Sequence, residues 1–420
     1  MKLVQRHLLP LGRELLETFP AVVVQGARQA GKSTYVGMLA ADRPHRVVSL
    51  DDEEVQAAAL TDSRAFVGQL PDGTLVIDEI QRAPELLLTI KAAVDTDRRP
   101  GRFVLTGSSD LLRLPRTPDS LAGRAVTLHL HGFSQGELAA KPDDFAHWLR
   151  HLPREPHALR SDWTRTDYVE ALARGSYPEL GRLEQRMRHH WLDSYLDRLL
   201  TRDIADVSPG LQHDRLHGML RLIAANQAGE LVQARFADHL RMSPSTVAPY
   251  LAALQTLYLT SEVRPWGPNL TKREIGRRKV GVADSALALR LIRQHPDGLA
   301  ELAAATKLGP FIEALAASEL QKQRAWSREE FDLYHFRDRD GLEVDLVIEF
   351  ADGRVFLLEV KATETYRAQH FDGIRALAAR LGDRFLGGAV LGLSGTSHQI
   401  GERMWALPLA ALWQAQTPEA

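Results

Sequence analysis

Gly26-Ala27-Arg28-Gln29-Ala30-Gly31-Lys32-Ser33 has the spacing G-x-x-x-x-G-K-S, and both of its flanks suit it. Before it, Ala21-Val22-Val23-Val24-Gln25 reads as a buried strand; after it, Thr34 to Ala40 reads as the start of a helix. Glycines in a turn between strand and helix let backbone N–H groups wrap a phosphate without side-chain obstruction. Lys32 then reaches the β- and γ-phosphates and Ser33 holds Mg²⁺. The expected nucleotide cradle is Gly26, Ala27, Arg28, Gln29, Ala30, Gly31, Lys32, Ser33 and Thr34.

A second strand, Leu75-Val76-Ile77, follows the turn signal Pro71-Asp72-Gly73 and ends in Asp78-Glu79, about 45 residues after the loop lysine. In this position Asp78 orients the Mg²⁺ shell and Glu79 polarises the attacking water. A third strand, Arg102-Phe103-Val104-Leu105, runs into Thr106-Gly107-Ser108-Ser109. There a polar residue, Ser108, can sit between the two motif strands and sense the γ-phosphate. Together the three segments specify an ATP-hydrolysing α/β core.

At 420 residues the chain exceeds a single core, and roughly two to four domains are expected. Hydrophobic content of 44% and charged content of 25% are those of ordinary globular proteins. With no signal peptide and no run of about 18 apolar residues, we expect no membrane association and a cytoplasmic location. Zero cysteines exclude disulfides, thiolate metal ligands and cysteine nucleophiles. A net charge of −2 excludes a generic polycation, so nucleic-acid binding would rest on local basic patches.

Residues 1–140 alternate strand and helix signals, as in a parallel doubly wound sheet, and 141–210 read as a helical lid and linker. Residues 211–290 resemble a winged helix-turn-helix. Helices are expected over His213 to Gln227, Gln233 to Leu240, and from Pro244 with Ser243 as N-cap. Val247, Tyr250, Leu251, Leu254 and Leu257 give the third helix one apolar face. Lys272, Arg273, Arg277, Arg278 and Lys279 fall where a β-hairpin wing would be, and with Ser245 on the third helix they are the candidate DNA contacts. Helix-turn-helix folds also serve as protein-docking modules.

The tail, 300–420, carries a separate constellation. A helix starting near Pro310 contains Glu313, and three strands follow: Phe331 to Phe336, Leu342 to Phe350 and Arg354 to Ala362. If Ala351-Asp352-Gly353 is a three-residue hairpin loop, Val344 faces Val360, Leu346 faces Leu358 and Ile348 faces Phe356 on one apolar side. The other side puts Asp345 opposite Glu359 and Glu343 opposite Lys361. Opposed carboxylates repel, and a hard divalent cation gives them a reason to meet. Asp345 and Glu359 would bind Mg²⁺ or Mn²⁺, Lys361 would orient or deprotonate water, and Glu313 would complete the site. This is the D…E-x-K arrangement of metal-dependent nucleases.

Over nearly its whole length the chain resembles the bacterial and archaeal AAA-type ATPases that carry a C-terminal domain of long-unknown function. The resemblance rests on GARQAGKST, TLVIDEIQRAPELL, FVLTGSS, SLAGR, GSYPE, the segment Thr201-Arg202-Asp203-Ile204, MSPSTVAPYLAAL, GPFIEALAASEL and the pair GLEVDLVIE and LLEVKA. It implies an ATP site at Lys32, Ser33, Asp78 and Glu79. It also implies a winged helix followed by a restriction-endonuclease-like α/β tail with Glu313, Asp345, Glu359 and Lys361. Ser176 stands where the family often has a second glycine. Arg124 and Arg202 lie in segments like family landmarks and are candidate arginine fingers. A finger acting in trans would require a homo-oligomer, one in cis only lid closure.

The expected function is an ATP-dependent, DNA-processing ATPase acting on duplex or branched DNA, with a metal-dependent nuclease tail as its further element. Two alternatives stand beside it. One is a non-cleaving DNA translocase or branch-remodelling motor; the other is a signalling NTPase switch whose winged helix docks proteins.

Overall fold

The computed structural model describes residues 3–108, 121–152 and 159–416, apart from the side chains of Asp206, Leu270 and Lys272. Among the described residues the strands form two sheets. The first contains β1 (Ala21–Gln25), β2 (His45–Ser49), β3 (Thr74–Asp78), β4 (Phe103–Gly107) and β5 (Ala125–His129), in the order β2-β3-β4-β1-β5. All of its pairings are parallel. Parallel strands buried on both faces read as continuous apolar runs, which is why Ala21 to Val24 lacks alternation. Ala21, Val23, Leu75, Ile77, Phe103 and Leu105 pack on one face against helices 53–61 and 86–96. Val22, Val24, Val76, Val104 and Leu128 face helices 9–18 and 32–40 on the other. Strand β4 lies between β3 and β1, so Ser108 follows the strand flanked by both nucleotide motifs.

From Phe145 onward one hydrophobic core runs through Leu220, Leu254, Leu315 and Ile348 to Trp413. The lid helix Gln185–Arg198 continues into a π-helical turn, Leu199–Asp203. Helices His213–Ala225, Gln233–His239 and Pro244–Thr256 follow in helix-turn-helix order. The second sheet has nine strands. β6 (Gly229–Glu230), β7 (Thr260–Pro265) and β8 (Lys279–Val282) belong to the helix-turn-helix body. β9 (Phe331–Arg337), β10 (Glu343–Phe350), β11 (Val355–Val360), β12 (Phe385–Gly392), β13 (His398–Gly401) and β14 (Met404–Pro408) belong to the tail. The order is β13-β14-β12-β11-β10-β9-β7-β8-β6.

Two expectations change here. The stretch from Lys272 is not a free hairpin wing: Leu270–Ile275 is helical, and only from Lys279 does the chain extend as β8. Strand β7 pairs parallel with β9 at Arg264–Tyr334 and Pro265–His335, so the wing strands are built into the tail sheet. The tail hairpin has the expected register at Leu346–Leu358 and Ile348–Phe356, closed by Gly353 at φ 77°. Val344, however, does not share a face with Leu346. A bulge between Val344 and Val347 inserts a residue against β9. Val344 and Val347 therefore pack in one core, while Leu346, Ile348 and Phe350 pack in the other.

Leu358 is fully buried opposite Leu346. Leu358→Ala removes that packing and is expected to cost about 2–5 kcal/mol. Denaturant melts of the full chain check this, and an unchanged midpoint would mean that the hairpin is not part of the cooperative core.

Candidate functional site

The P-loop geometry follows from its glycines. A Cβ on Gly26 would lie 2.1 Å from the Leu130 carbonyl oxygen, and Gly31 has a φ of 91° at the start of helix Lys32–Ala40. Lys32 is buried, and its Nζ donates to the Gly26 and Ala27 carbonyls at 3.1 Å each. Burial lowers its pKa, against the pull of Glu79 and Asp78. Ser33 Oγ donates to Asp78 Oδ2 at 2.9 Å, and Thr106 Oγ1 donates to Asp78 Oδ1. Ser33 and Asp78 thus present a hydroxyl and a carboxylate side by side, a hard-oxygen set suited to Mg²⁺.

Glu79 adopts a left-handed backbone conformation, φ 59°, and its N–H donates to Thr106 Oγ1 at 3.0 Å. Its carboxylate accepts from Ser108 Oγ at 2.8 Å and from Gln81 Nε2. Gln81 also donates to Ser108 Oγ at 2.9 Å. A strained backbone held by three polar partners over-determines where this carboxylate points. Sequence reasoning missed Gln81, two residues past the carboxylate pair.

Two further arginines brace the loop. Buried Arg6 donates to the Ala30 carbonyl at 3.2 Å, to the His131 carbonyl at 2.7 Å and to Glu137 at 2.9 Å. Glu137 is fixed by a capping box with Ser134, an S-x-x-E signal that was open to reading in Ser134-Gln135-Gly136-Glu137. Arg28, inside the loop, donates to Asp203 Oδ2 at 2.9 Å, and Tyr195 Oη donates to the Arg28 carbonyl at 3.0 Å. Asp203 ends the π-helical turn, so the P-loop is tied directly to the lid. Of the finger candidates, Arg124 makes two bonds to Asp95, at 2.7 and 3.0 Å, while Arg202 is exposed on the lid. Ser109 lies outside the described residues.

The candidate DNA contacts are mostly committed elsewhere. Arg273 is clamped on Glu349 at 2.5 and 2.9 Å and lies over the Tyr334 ring. Arg278 pairs with Glu262 at 2.9 Å, whereas Arg277 stays 64% exposed. Lys279 is the clearest correction: its side chain is 5% exposed and points into the tail. Ser245 is exposed on the third helix, and the Lys272 side chain lies outside the described residues.

Lys279 enters the acidic centre. Its Nζ lies 2.7 Å from Glu313, 2.9 Å from Glu343 and 3.6 Å from Asp345. Burial opposes the Lys279 charge, yet Glu313, Asp345 and Glu343 hold its pKa above the ordinary value. Asp345 does not face Glu359 across a ladder pair. Its Oδ2 accepts from the Val360 N–H at 2.8 Å and lies 3.7 Å from Lys361. Lys361 bonds Glu359 at 2.6 Å rather than facing Glu343. Burial, then the nearby Asp345, push Glu313 and Glu359 upward. Glu313, Asp345, Glu359 and Lys361 therefore converge, but around two ammonium groups. Among the described residues no group of three or more His, Asp and Glu is placed to hold a metal ion together. Sequence reasoning missed two H-x-x-x-H spacings, His147 to His151 and His213 to His217, whose rings lie 4.5 and 6.3 Å apart.

With this geometry in place, the comparisons with known proteins fall into order. A model described as an AAA domain matches residues 18–139. Two domains of unknown function match 165–298 (DUF8612) and 308–412 (DUF4143). Uncharacterised proteins of Mycobacterium tuberculosis and Mycobacterium bovis are each 26% identical over 353 residues, 84% of this chain and 73% of theirs. A Walker-type ATPase of Pyrococcus abyssi aligns with TM-score 0.44 and 16% identity, over 69% of this chain and 96% of that one. AMPPCP-bound DnaA from Aquifex aeolicus aligns with TM-score 0.28 and 12% identity, over 59% and 86%. Residues 18–139 are thus an AAA-type P-loop ATPase core. No helix among the described residues is long and apolar enough to cross a membrane.

Lys32→Ala removes the phosphate clamp and is expected to abolish ATP turnover without unfolding the chain. Glu79→Gln should keep nucleotide binding and slow hydrolysis about 10²–10⁴-fold. Steady-state turnover with parallel nucleotide-binding titrations checks both; wild-type turnover in the Lys32 variant would remove the assignment.

Proposed function

We propose that the chain is an ATP-hydrolysing switch whose helix-turn-helix body docks protein rather than duplex DNA. One observation carries this. The solvent face of helix Pro244–Thr256, which would enter a groove, presents Pro244, Ser245, Ala248, Pro249 and Ala252 and no cation. DNA affinity comes mainly from cations on phosphates, and a face of small neutral residues supplies none. The cavity of about 1120 Å³ beside β9 is lined by Arg277, Arg337, Arg339 and Arg380 against Glu230, Asp338 and Asp340, so it adds only a small basic excess. There Arg380 is paired with Asp338 at 2.8 Å, and Arg337 lies 3.6 Å from Glu343.

In this reading ATP sits on Gly26 to Thr34, Ser33 and Asp78 hold Mg²⁺, and Glu79 orients the attacking water. Mg²⁺ would supply charge neutralisation at the β- and γ-phosphates. The protein's part is to report the nucleotide: a γ-phosphate beside Arg28 competes with Asp203 for the guanidinium, loosening or tightening the lid. Exposed Arg202 supports a finger in trans and hence a homo-oligomer.

A second reading retains DNA processing. It is supported by exposed Arg235, Arg241 and Arg277 and by the convergence of Glu313, Asp345, Glu359 and Lys361. A non-cleaving DNA motor would share those cations and leave the acidic centre without a metal.

ATP turnover measured with single-stranded, duplex and four-way DNA separates the readings. The switch predicts no stimulation and no loss of salt dependence in the Arg235→Ala/Arg241→Ala/Arg277→Ala variant. DNA binding predicts a slope lower by about 0.9 per lost phosphate contact. Asp203→Asn tests the lid link: it should shift ATP affinity about fivefold or more. Unchanged affinity would reduce the Arg28–Asp203 pair to a structural brace.

A further inference from the structure

The acidic centre of the tail already contains a cation, contributed by the other body. Glu313 comes from helix Ala305–Gln323, Glu343 and Asp345 from β10, and the ammonium they surround belongs to Lys279 at the start of β8. Each of the three carboxylates is within 3.6 Å of Lys279 Nζ, and the side chain is 95% buried by its 5% exposure. This is more than a surface ion pair, because a buried carboxylate cluster is stable only when its charge is met at close range. Backbone pairing sets the position: Lys279 pairs with Val263 on β7 and with Glu230 on β6, which fixes the root of the side chain. The β-bulge at Val344–Val347 lies on either side of Asp345, where the regular pleat is interrupted beside the ammonium.

We infer that Lys279 is the resident cation of this centre, an intrachain ammonium that closes it to divalent metal and fastens the helix-turn-helix body to the tail. The centre is thereby held in a metal-free, non-cleaving state for as long as β8 stays in the sheet. As placed around the ammonium, the three carboxylates do not together hold a metal ion; any event that withdraws Lys279 frees their charge, and a hard divalent cation would have to draw them inward to bind. This goes beyond the switch reading and does not depend on its failure or success, because the ATP site contributes none of these residues.

The test uses the full chain without nucleotide, with Mn²⁺ as the probe. Melting temperatures are recorded in Mn²⁺ and in chelator, and bound Mn²⁺ is counted by electron paramagnetic resonance. Wild type and Lys279→Arg should show the same melting temperature in both conditions. Lys279→Met should melt lower in chelator, recover in Mn²⁺, and bind Mn²⁺ at least about tenfold more tightly than wild type. The recovery should vanish in Lys279→Met/Asp345→Asn. A folded Lys279→Met protein that ignores Mn²⁺ would overturn the inference. If Lys279→Met does not fold, the wild-type titration still decides: Mn²⁺ bound by wild type and lost in Asp345→Asn would mean that the ammonium does not close the centre.

Discussion

Strand β7 lies parallel to β9 at Arg264–Tyr334 and Pro265–His335, and that short ladder merges the wing strands with the tail strands into one nine-stranded sheet. Much else follows from it. The wing is not a free hairpin able to track a phosphate backbone, and Lys279 cannot face solvent. Phe331, Leu333 and Val263 share a core with the helix-turn-helix residues Leu254 and Leu259. Sliding one half past the other would break both the ladder and the packing. In the proposed switch the hinge would lie where Asp203 meets Arg28 rather than between β7 and the tail strands.

The lid itself is suited to that. A π-helical turn at Leu199–Asp203 is a local departure from regular hydrogen bonding and is common at functional positions. It places one carboxylate on the P-loop while Tyr195, one turn earlier, donates to the same loop's carbonyl. Tyr195 is stacked on Trp191 at 4.9 Å and bonded to Tyr177, so the contact is rigid on the lid side. In the proposed switch, this rigidity on the lid side leaves Arg28 as the group for which a phosphate would compete with Asp203.

The sequence was most legible where structure is local. The P-loop, the Asp78-Glu79 strand end and the tail hairpin each depend on spacing within a few residues, and their elements fall where the spacing puts them. It was least legible where a neighbour distant in sequence decides. The bulge at Asp345 exists only against β9, so the period-2 pattern of β10 gave no sign of it. Arg277, Arg278 and Lys279 are one basic run in the sequence, yet one is exposed, one is half-exposed in an ion pair and one is buried. Arg277 and Arg278 precede β8, whereas Lys279 is its first residue and is covered by the tail, so adjacent cations of like chemistry meet different environments. Strand β12 went unread because Gly387, Gly388 and Gly392 interrupt its apolar run; here Cβ atoms would strike Phe356, Ile374 and Tyr366.

Those same distant contacts weigh on function. An ammonium and a divalent cation satisfy carboxylates differently: Lys279 brings one charge and three directed donors on a tether, where a metal brings two charges and an exchangeable shell. Glu313, Glu343 and Asp345 outnumber Lys279, with Arg337 3.6 Å from Glu343; burial first, and then Asp345, push Glu313 upward. Lys361 partly offsets this from the Glu359 side, but one Glu359 oxygen is left buried without a hydrogen-bond partner. The arrangement is thus satisfied enough to fold and under-neutralised enough to accept more positive charge once the tether is gone. A purely structural salt bridge would have no such surplus. The excess of buried carboxylate over ammonium is what separates a centre held closed from one that is merely stable.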